Sequence, residues 1–152
     1  MAVPVLDFSI PIGGDSIDAN TASVLDEKAS RIRVYKETQF SLESEDGDLA
    51  LNRTLRVFFL ELIKQVVDTL AEVLLKSSDI PRITVPIPVV LAGGTVMPTG
   101  FLPLFDSVFR RVNWPFEISA IRLATDPLDA VARGALRYAQ VNYAAAPDPV
   151  LV

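Results

Sequence analysis

The clearest pattern in the chain is helical spacing of apolar residues over residues 54–76. The apolar positions recur at intervals of three and four residues: Leu55, Phe58, Phe59, Leu62, Ile63, Val66, Leu70, Val73 and Leu74. This spacing places them on one face of a helix, and that face must be buried against other elements. We therefore predict a long amphipathic helix over residues 54–76.

Weaker helical patterns predict three further helices. Residues 17–32 separate apolar from charged positions, and residues 99–112 carry phenylalanines at helical intervals. Asp126 and Pro127 are a typical helix start, which opens a last helix that runs to about residue 143. The secondary structure of residues 33–42 stays open. Alternation of apolar and polar residues favours a strand, whereas the charged residues favour a continuing helix.

Three short runs of β-branched and aromatic residues predict strands over residues 5–12, 87–92 and 116–123. Strands that alternate with helices indicate crossover connections and a parallel arrangement. The predicted fold class is α/β, with a short, mainly parallel sheet and flanking helices. Three strands form a thin sheet for this much apolar helix surface, so we expect one side or edge of it to be incomplete. Residues 144–152 are expected to form a flexible C-terminal tail.

The composition excludes several kinds of chemistry. The 152 residues contain no Cys and no His, which removes thiol nucleophiles, Cys/His zinc sites and Ser-His catalytic pairs. The formal net charge of −5 argues against a nucleic-acid partner. No apolar run approaches the roughly 18 residues that suggest a membrane span, and the first residues do not resemble a signal peptide. We expect a cytoplasmic protein.

Two glycine pairs each follow a predicted strand and precede a helix. They begin the segments Gly13-Gly14-Asp15 and Gly93-Gly94-Thr95. At the carboxyl ends of strands, glycine lets the backbone approach a phosphate or sugar, and helix N–H groups face the ligand. Neither pair matches a Walker loop or a G-x-G-x-x-G sequence. A tight strand-to-helix turn also explains each pair.

The surroundings of both pairs resemble the actin, Hsp70 and MreB superfamily of ATPases. Residues 88–98, PVVLAGGTVMP, are similar to the apolar strand and Gly-Gly-Thr turn known in that superfamily as the adenosine motif. Residues 126–136, DPLDAVARGAL, resemble its closing helix with the pattern D-P-x-x-x-V-A-x-G. Residues 10–18, IPIGGDSID, resemble its strand into G-G-D-x-x-D. The resemblance extends over about residues 5–143 and is closest to the MreB-type branch.

The resemblance implies an incomplete ribonuclease-H-like lobe. Members of the superfamily have two lobes around a nucleotide cleft, with acidic phosphate loops of the D-x-G-x-G-T type, and no such loop occurs in this sequence. Residues 1–143 are then expected to form part of the second lobe, with residues 19–80 as a small helical subdomain and long return helix. The implied cofactor of the complete protein is ATP or ADP with Mg²⁺, and the implied partner is the missing lobe or a second copy. Hydrolysis by this chain alone is not expected, because phosphoryl transfer needs metal and positioned charge at the γ-phosphate.

The resemblance also implies eight nucleotide-binding residues, with no catalytic residue and no metal ligand among them. Those expected beneath the adenine and ribose, or along the base, are Gly93, Gly94, Thr95 and Met97. Those expected near the ribose and phosphates are Gly13, Gly14 and Asp15. Lys36 is the candidate for a helix residue that reaches the base, although it stands directly beside Glu37, whereas the superfamily often separates such a pair by one turn. A solvated surface charge is the alternative interpretation of Lys36.

Other functions and roles fit the same residues. The chain could be a stand-alone interaction module that binds no nucleotide and dimerises through an exposed sheet edge. It could also be a small enzyme whose acid–base groups are Asp, Glu, Lys or Tyr. Asp15 and Asp18 lie on one helix face, where capping of the helix start is a commoner role than metal binding. Trp114 is interpreted as a structural plug between a helix and a strand.

Overall fold

The computed structural model describes residues 6–44, 46–77 and 83–143. Within these ranges it contains five α-helices, one short 3₁₀ helix and two β-strands. In chain order they are α1 (Gly14–Leu25), α2 (Ala29–Thr38), α3 (Leu49–Lys76), β1 (Ile87–Leu91), a 3₁₀ turn (Gly94–Val96), α4 (Phe101–Phe109), β2 (Ile118–Leu123) and α5 (Ala130–Tyr143). The predicted α/β class is confirmed. The predicted tail at residues 144–152 lies outside the described residues.

The described sheet consists of β1 and β2, which run parallel with Val89 opposite Ile121. The chain crosses from one strand to the other through α4, as a parallel pair requires. The third predicted strand, over residues 5–12, is wrong in its described part. Residues 6–12 form no ladder, and Pro11 has no N–H with which to join one. This segment lies along a cleft instead of extending the sheet.

The predicted helix over residues 17–32 is two helices, α1 and α2. Asp26 adopts a left-handed conformation with φ 53°, and the N–H of Glu27 closes the end of α1 on the carbonyl of Ala22 at 3.0 Å. The chain then turns and starts again at Ala29. Because α2 continues to Thr38, most of the segment left open in the sequence analysis is helical.

The long helix is confirmed as α3, which begins at Leu49, earlier than its apolar pattern indicates. Asp48 caps it, since its Oδ1 accepts a hydrogen bond from the N–H of Leu51 at 3.1 Å. The buried face is that predicted from the spacing and packs against α1 and α4. Its most buried apolar residues, each at most 1% exposed, are Leu55, Phe59, Ile63 and Val67.

Aromatic rings form a continuous row through the core. Neighbouring ring centroids lie between 4.3 and 6.4 Å apart, the distances of aromatic rings in direct contact. The row is Phe40, Phe59, Phe101, Phe105, Phe109, Trp114 and Phe116. The Trp114 indole stacks on Phe109 and donates a hydrogen bond to its carbonyl oxygen at 2.9 Å, which confirms the interpretation of Trp114 as a structural plug.

The outer face of β1 and most of α5 leave apolar residues exposed. Val90 on the outer face of β1 is 45% exposed, and on α5 the exposed fractions are 75% for Val131, 60% for Leu136 and 62% for Val141. The inner faces of both strands pack on the core. This uneven covering matches the incomplete sheet that the sequence predicts. Among the described residues, no helix combines the length and the apolar character needed to cross a membrane.

Candidate functional site

The two glycine turns, which are about 80 residues apart in the sequence, meet in the structure. A Cβ atom added to Gly14 would lie 3.2 Å from Thr95 Oγ1 and 3.4 Å from Lys36 Nζ. Three segments that the sequence analysis singled out therefore converge at the start of α1. A side chain larger than that of glycine at this position would crowd both polar groups.

Local hydrogen bonds fix each turn. Gly93 has φ 102°, a conformation that favours glycine, and its N–H donates to the carbonyl of Pro127 at 2.7 Å. That bond ties the turn after β1 to the segment that leads into α5. At the first turn, Gly13 donates its N–H to Ser16 Oγ at 3.3 Å, and its carbonyl accepts from the N–H of Ile17 at 3.3 Å. Ser16 therefore holds the start of α1 through its side-chain oxygen.

Four charged side chains form a network beside the first turn. The carboxylate of Asp18 is buried, with 1% of its side chain exposed, and its Oδ1 lies 2.6 Å from Lys36 Nζ. Its Oδ2 accepts a hydrogen bond from Arg33 Nε at 3.2 Å, while Arg33 Nη2 donates to Asp15 Oδ1 at 2.7 Å. The hydrogen bond to Asp18, followed by the negative charge of Asp15, raises the pKa of Arg33 above its usual value.

These contacts correct two interpretations from the sequence. Asp18 is not a cap of the helix start, because its carboxylate pairs with two cations on α2. Lys36 is not a solvated surface charge, because 10% of its side chain is exposed and its Nζ also donates to the carbonyl of Gly14 at 3.0 Å. The ammonium group of Lys36 is thus fixed against the first glycine turn.

An open cleft of about 1250 Å³ lies over this network. Apolar side chains from five segments form part of its wall: Ile10, Ile12, Phe40, Phe59, Met97 and Leu128. The charged residues of the lining are Asp15, Arg33, Lys36 and Glu37, whose formal charges sum to zero. A cleft with apolar walls and a few converging polar groups is the usual form of a small-molecule site.

Seven of the eight predicted site residues line this cleft. They are Gly13, Gly14, Asp15, Lys36, Gly94, Thr95 and Met97. Gly93 is not part of the lining and instead anchors the second turn through its bond to Pro127. An added Cβ on Gly13 would meet nothing within 4 Å, so no neighbouring side chain fills the space beside it.

Sequence reasoning missed the role of Asp18 and, apart from Met97, the apolar wall of the cleft. The signal for Asp18 was present in its position three residues after Asp15, but capping explained the pair equally well. Leu128 follows the D-P sequence, and its Cδ2 would lie 3.7 Å from a Cβ added to Gly94. No spacing rule connects Leu128 to the second glycine turn, because the contact depends on how the chain returns to β1.

A bound divalent cation would need additional ligands. Among the described residues, no group of three or more Asp, Glu, Cys or His side chains lies close enough to hold a metal ion. Asp15 and Glu37 are the carboxylates of the cleft lining, and Asp15 is already paired with Arg33. The described residues therefore do not form a magnesium site by themselves.

Comparison with known proteins identifies one family. A family model described as Volactin matches residues 1–139, which is most of the 152-residue chain. The match includes both glycine turns, Lys36 and the first part of α5. No curated protein matches the chain significantly.

Proposed function

The chain belongs to the Volactin family, and from this premise we propose that it forms the adenosine-binding side of an actin-like nucleotide cleft. The observation that carries the proposal is the convergence of the two glycine turns on Lys36. Thr95 Oγ1 and Lys36 Nζ lie within 3.4 Å of the position that a Cβ on Gly14 would take. The family's name, which contains the word actin, agrees with the resemblance drawn from the sequence motifs.

The composition of the cleft suits a nucleoside better than a bare polyphosphate. Met97 and Leu128 provide apolar surface for a base, while Thr95 and Lys36 provide hydrogen-bonding groups for a sugar. The lining charges sum to zero, so the described residues offer no cationic excess to hold a triphosphate. The phosphates of ATP or ADP, and the Mg²⁺ that accompanies them, would be held by other residues of a complete cleft.

This function implies that the two lobes of the complete cleft bind different parts of the nucleotide. In the proposal, the chain is an incomplete ribonuclease-H-like lobe that binds the nucleoside, and the phosphate loops belong to the missing part of the cleft. The chain alone does not hydrolyse ATP, because charge and metal at the γ-phosphate are needed for phosphoryl transfer. We correspondingly expect the protein to be located in the cytoplasm.

Calorimetric titration tests this function. We expect adenosine, ADP and ATP each to bind the chain at one site, and guanosine to bind more weakly because its base presents different groups to the same wall. Gly94→Leu should abolish binding, since its side chain would enter the space next to Leu128. Absence of saturable binding for every adenine ligand would refute the proposed function.

Exposed apolar residues on β1 and α5 favour a second candidate, a module that pairs with another copy of the chain. Val90 on the sheet and Val131 on α5 are the relevant exposed residues, and burial of such surface drives association. Sedimentation equilibrium without nucleotide separates the two functions. A dimer that binds no adenine ligand would favour the module, whereas a chain that binds adenosine in either oligomeric state would favour the nucleotide cleft.

A further inference from the structure

Asp18 lies beneath the cleft and contacts it through other side chains. Its side chain is 1% exposed, whereas that of Asp15, on the same helix, is 91% exposed. Burial of an ionised carboxylate is costly unless oppositely charged groups and hydrogen bonds compensate for the lost hydration. Lys36 at 2.6 Å and Arg33 at 3.2 Å supply that compensation. The structure therefore gives Asp18 two partners, both of which line the cleft.

The contacts of Lys36 determine what its ammonium can offer to a ligand. An ammonium has three N–H donors. Within the described part of the chain, Nζ donates one hydrogen bond to the carbonyl oxygen of Gly14 at 3.0 Å and forms an ion pair with Asp18 Oδ1 at 2.6 Å that lacks hydrogen-bond geometry. At least one donor therefore remains, on a group held in place from two directions. Lys36 is thus arranged to donate to a ligand from a fixed position.

The charge of this cluster is balanced. Lys36 and Arg33 contribute two positive charges, and Asp15 and Asp18 contribute two negative charges at short range. A lysine whose charge is already compensated attracts a phosphate only weakly, but it still donates a hydrogen bond to a neutral oxygen or nitrogen. The neutral parts of a nucleotide are its sugar hydroxyls and its base.

We propose that Asp18 is a positioning residue that fixes and neutralises Lys36, so that this corner of the cleft recognises the nucleoside and not the phosphates. The inference rests on the proposed nucleotide-binding function and deepens it. Asp18 does not touch the ligand, and its effect reaches the ligand through Lys36. The consequence is that loss of Asp18 and Lys36 together weakens adenosine and ADP equally, whereas loss of Asp18 alone shifts the preference towards ADP.

The test compares the dissociation constants of adenosine and ADP for four variants of the chain. Lys36→Met removes one hydrogen bond and leaves the negative charge of Asp18 less compensated, so it should weaken adenosine by about 3-fold to 10-fold and ADP by more. Asp18→Asn leaves the positive charge of Lys36 uncompensated, so phosphate becomes favourable nearby. The ratio of the adenosine constant to the ADP constant should then rise by about 3-fold or more, with a stronger dependence on salt. Asp106→Asn is the matched control, since Asp106 pairs with Arg110 away from the cleft and its loss should leave the ratio unchanged.

The double variant Asp18→Asn, Lys36→Met covers the case in which Asp18→Asn alone does not fold. It removes one charge of each sign, so both ligands should weaken by the same factor and its ratio should equal that of the unaltered chain. A ratio in the double variant that stays as high as in Asp18→Asn would show that the shift does not act through Lys36 and would overturn the positioning role. A loss in the double variant that is several times larger for ADP than for adenosine would identify Lys36 as a phosphate ligand and also overturn the inference.

The outcomes separate this inference from the function on which it rests. If the unaltered chain binds neither adenosine nor ADP, the proposed function itself fails. If the unaltered chain binds both and Asp18→Asn weakens them by the same factor, the function stands and Asp18 has only a structural role.

Discussion

Gly14→Ala is the substitution that distinguishes the two explanations of the first glycine turn. If the pair is only a tight turn, alanine should be accepted without consequence, because Gly14 is the first residue of α1 and has a conformation open to any residue. If the turn approaches a ligand, a methyl group at this position interferes. The added carbon would lie 3.2 Å from Thr95 Oγ1 and 3.4 Å from Lys36 Nζ.

The expected magnitudes follow from these distances. Both neighbouring atoms are at the ends of side chains, so they can shift by a few tenths of an ångström without disturbing the backbone. Folding should therefore be unaffected or slightly more stable, by about 0.4–1 kcal/mol, because alanine restricts the unfolded chain. The shift displaces one or both hydrogen-bonding groups and should weaken adenosine binding by about 3-fold to 10-fold.

Gly134→Ala is the matched control, since a Cβ on Gly134 would meet nothing within 4 Å. It should give a similar gain in stability and no change in binding. Calorimetric titration with adenosine and chemical denaturation measure the two quantities on the same samples. Wild-type affinity in Gly14→Ala, or an equal loss in both variants, would contradict the close approach of this turn to the ligand.

The core and the helix connections give two further predictions. Phe59→Ala, which removes a fully buried ring from the aromatic row, should lower the free energy of unfolding by about 3–5 kcal/mol in chemical denaturation, whereas Val57→Ala on the exposed face of α3 should change it by less than about 0.5 kcal/mol. Equal effects would refute the assigned buried face. Gly100→Ala should lower the free energy of unfolding by about 2 kcal/mol or more, because Gly100 has φ 89° and an added Cβ would lie 2.8 Å from Glu43 Cγ. If the variant unfolds at the same temperature as the wild type, the backbone at Gly100 is not constrained in this way.

Much of the fold could be predicted from local patterns. The spacing of apolar residues identified α3 and its buried face because a 28-residue helix repeats the signal over many turns. The apolar runs of β1 and β2 were likewise local signals, whereas the predicted helix start at Asp126 and Pro127 was too early, because α5 begins at Ala130 after a turn. The break at Asp26 was not, because only its left-handed conformation distinguishes two short helices from one long helix.

The error over residues 6–12 has a different cause. Their composition is that of a strand, but a strand also needs a neighbour with free backbone groups. In the described sheet, β1 and β2 each keep an open outer edge, but residues 6–12 pair with neither strand and residues 10–12 line the cleft. A high strand propensity does not by itself provide a neighbouring strand, so the tertiary structure determined that residues 6–12 form no strand.

The glycine turns and Lys36 of the candidate site came from the sequence, through the resemblance of three motifs. What those motifs could not supply was the environment of each side chain. The pairing of Asp18 with Lys36 joins residues 18 positions apart on separate helices, and it depends on the angle at which α1 meets α2. Burial of that carboxylate, which distinguishes it from the exposed Asp15, is a property of packing.

The central claim is that both glycine turns border one adenosine site, and glycine-selective ¹⁵N labelling tests it most directly. The chain has seven glycines, so the spectrum should contain seven assignable amide signals. On titration with adenosine, we predict saturable shifts for Gly13, Gly14, Gly93 and Gly94, with a common dissociation constant, while Gly134 stays in place. Shifts confined to one turn, or no saturable shift at either, would contradict the account.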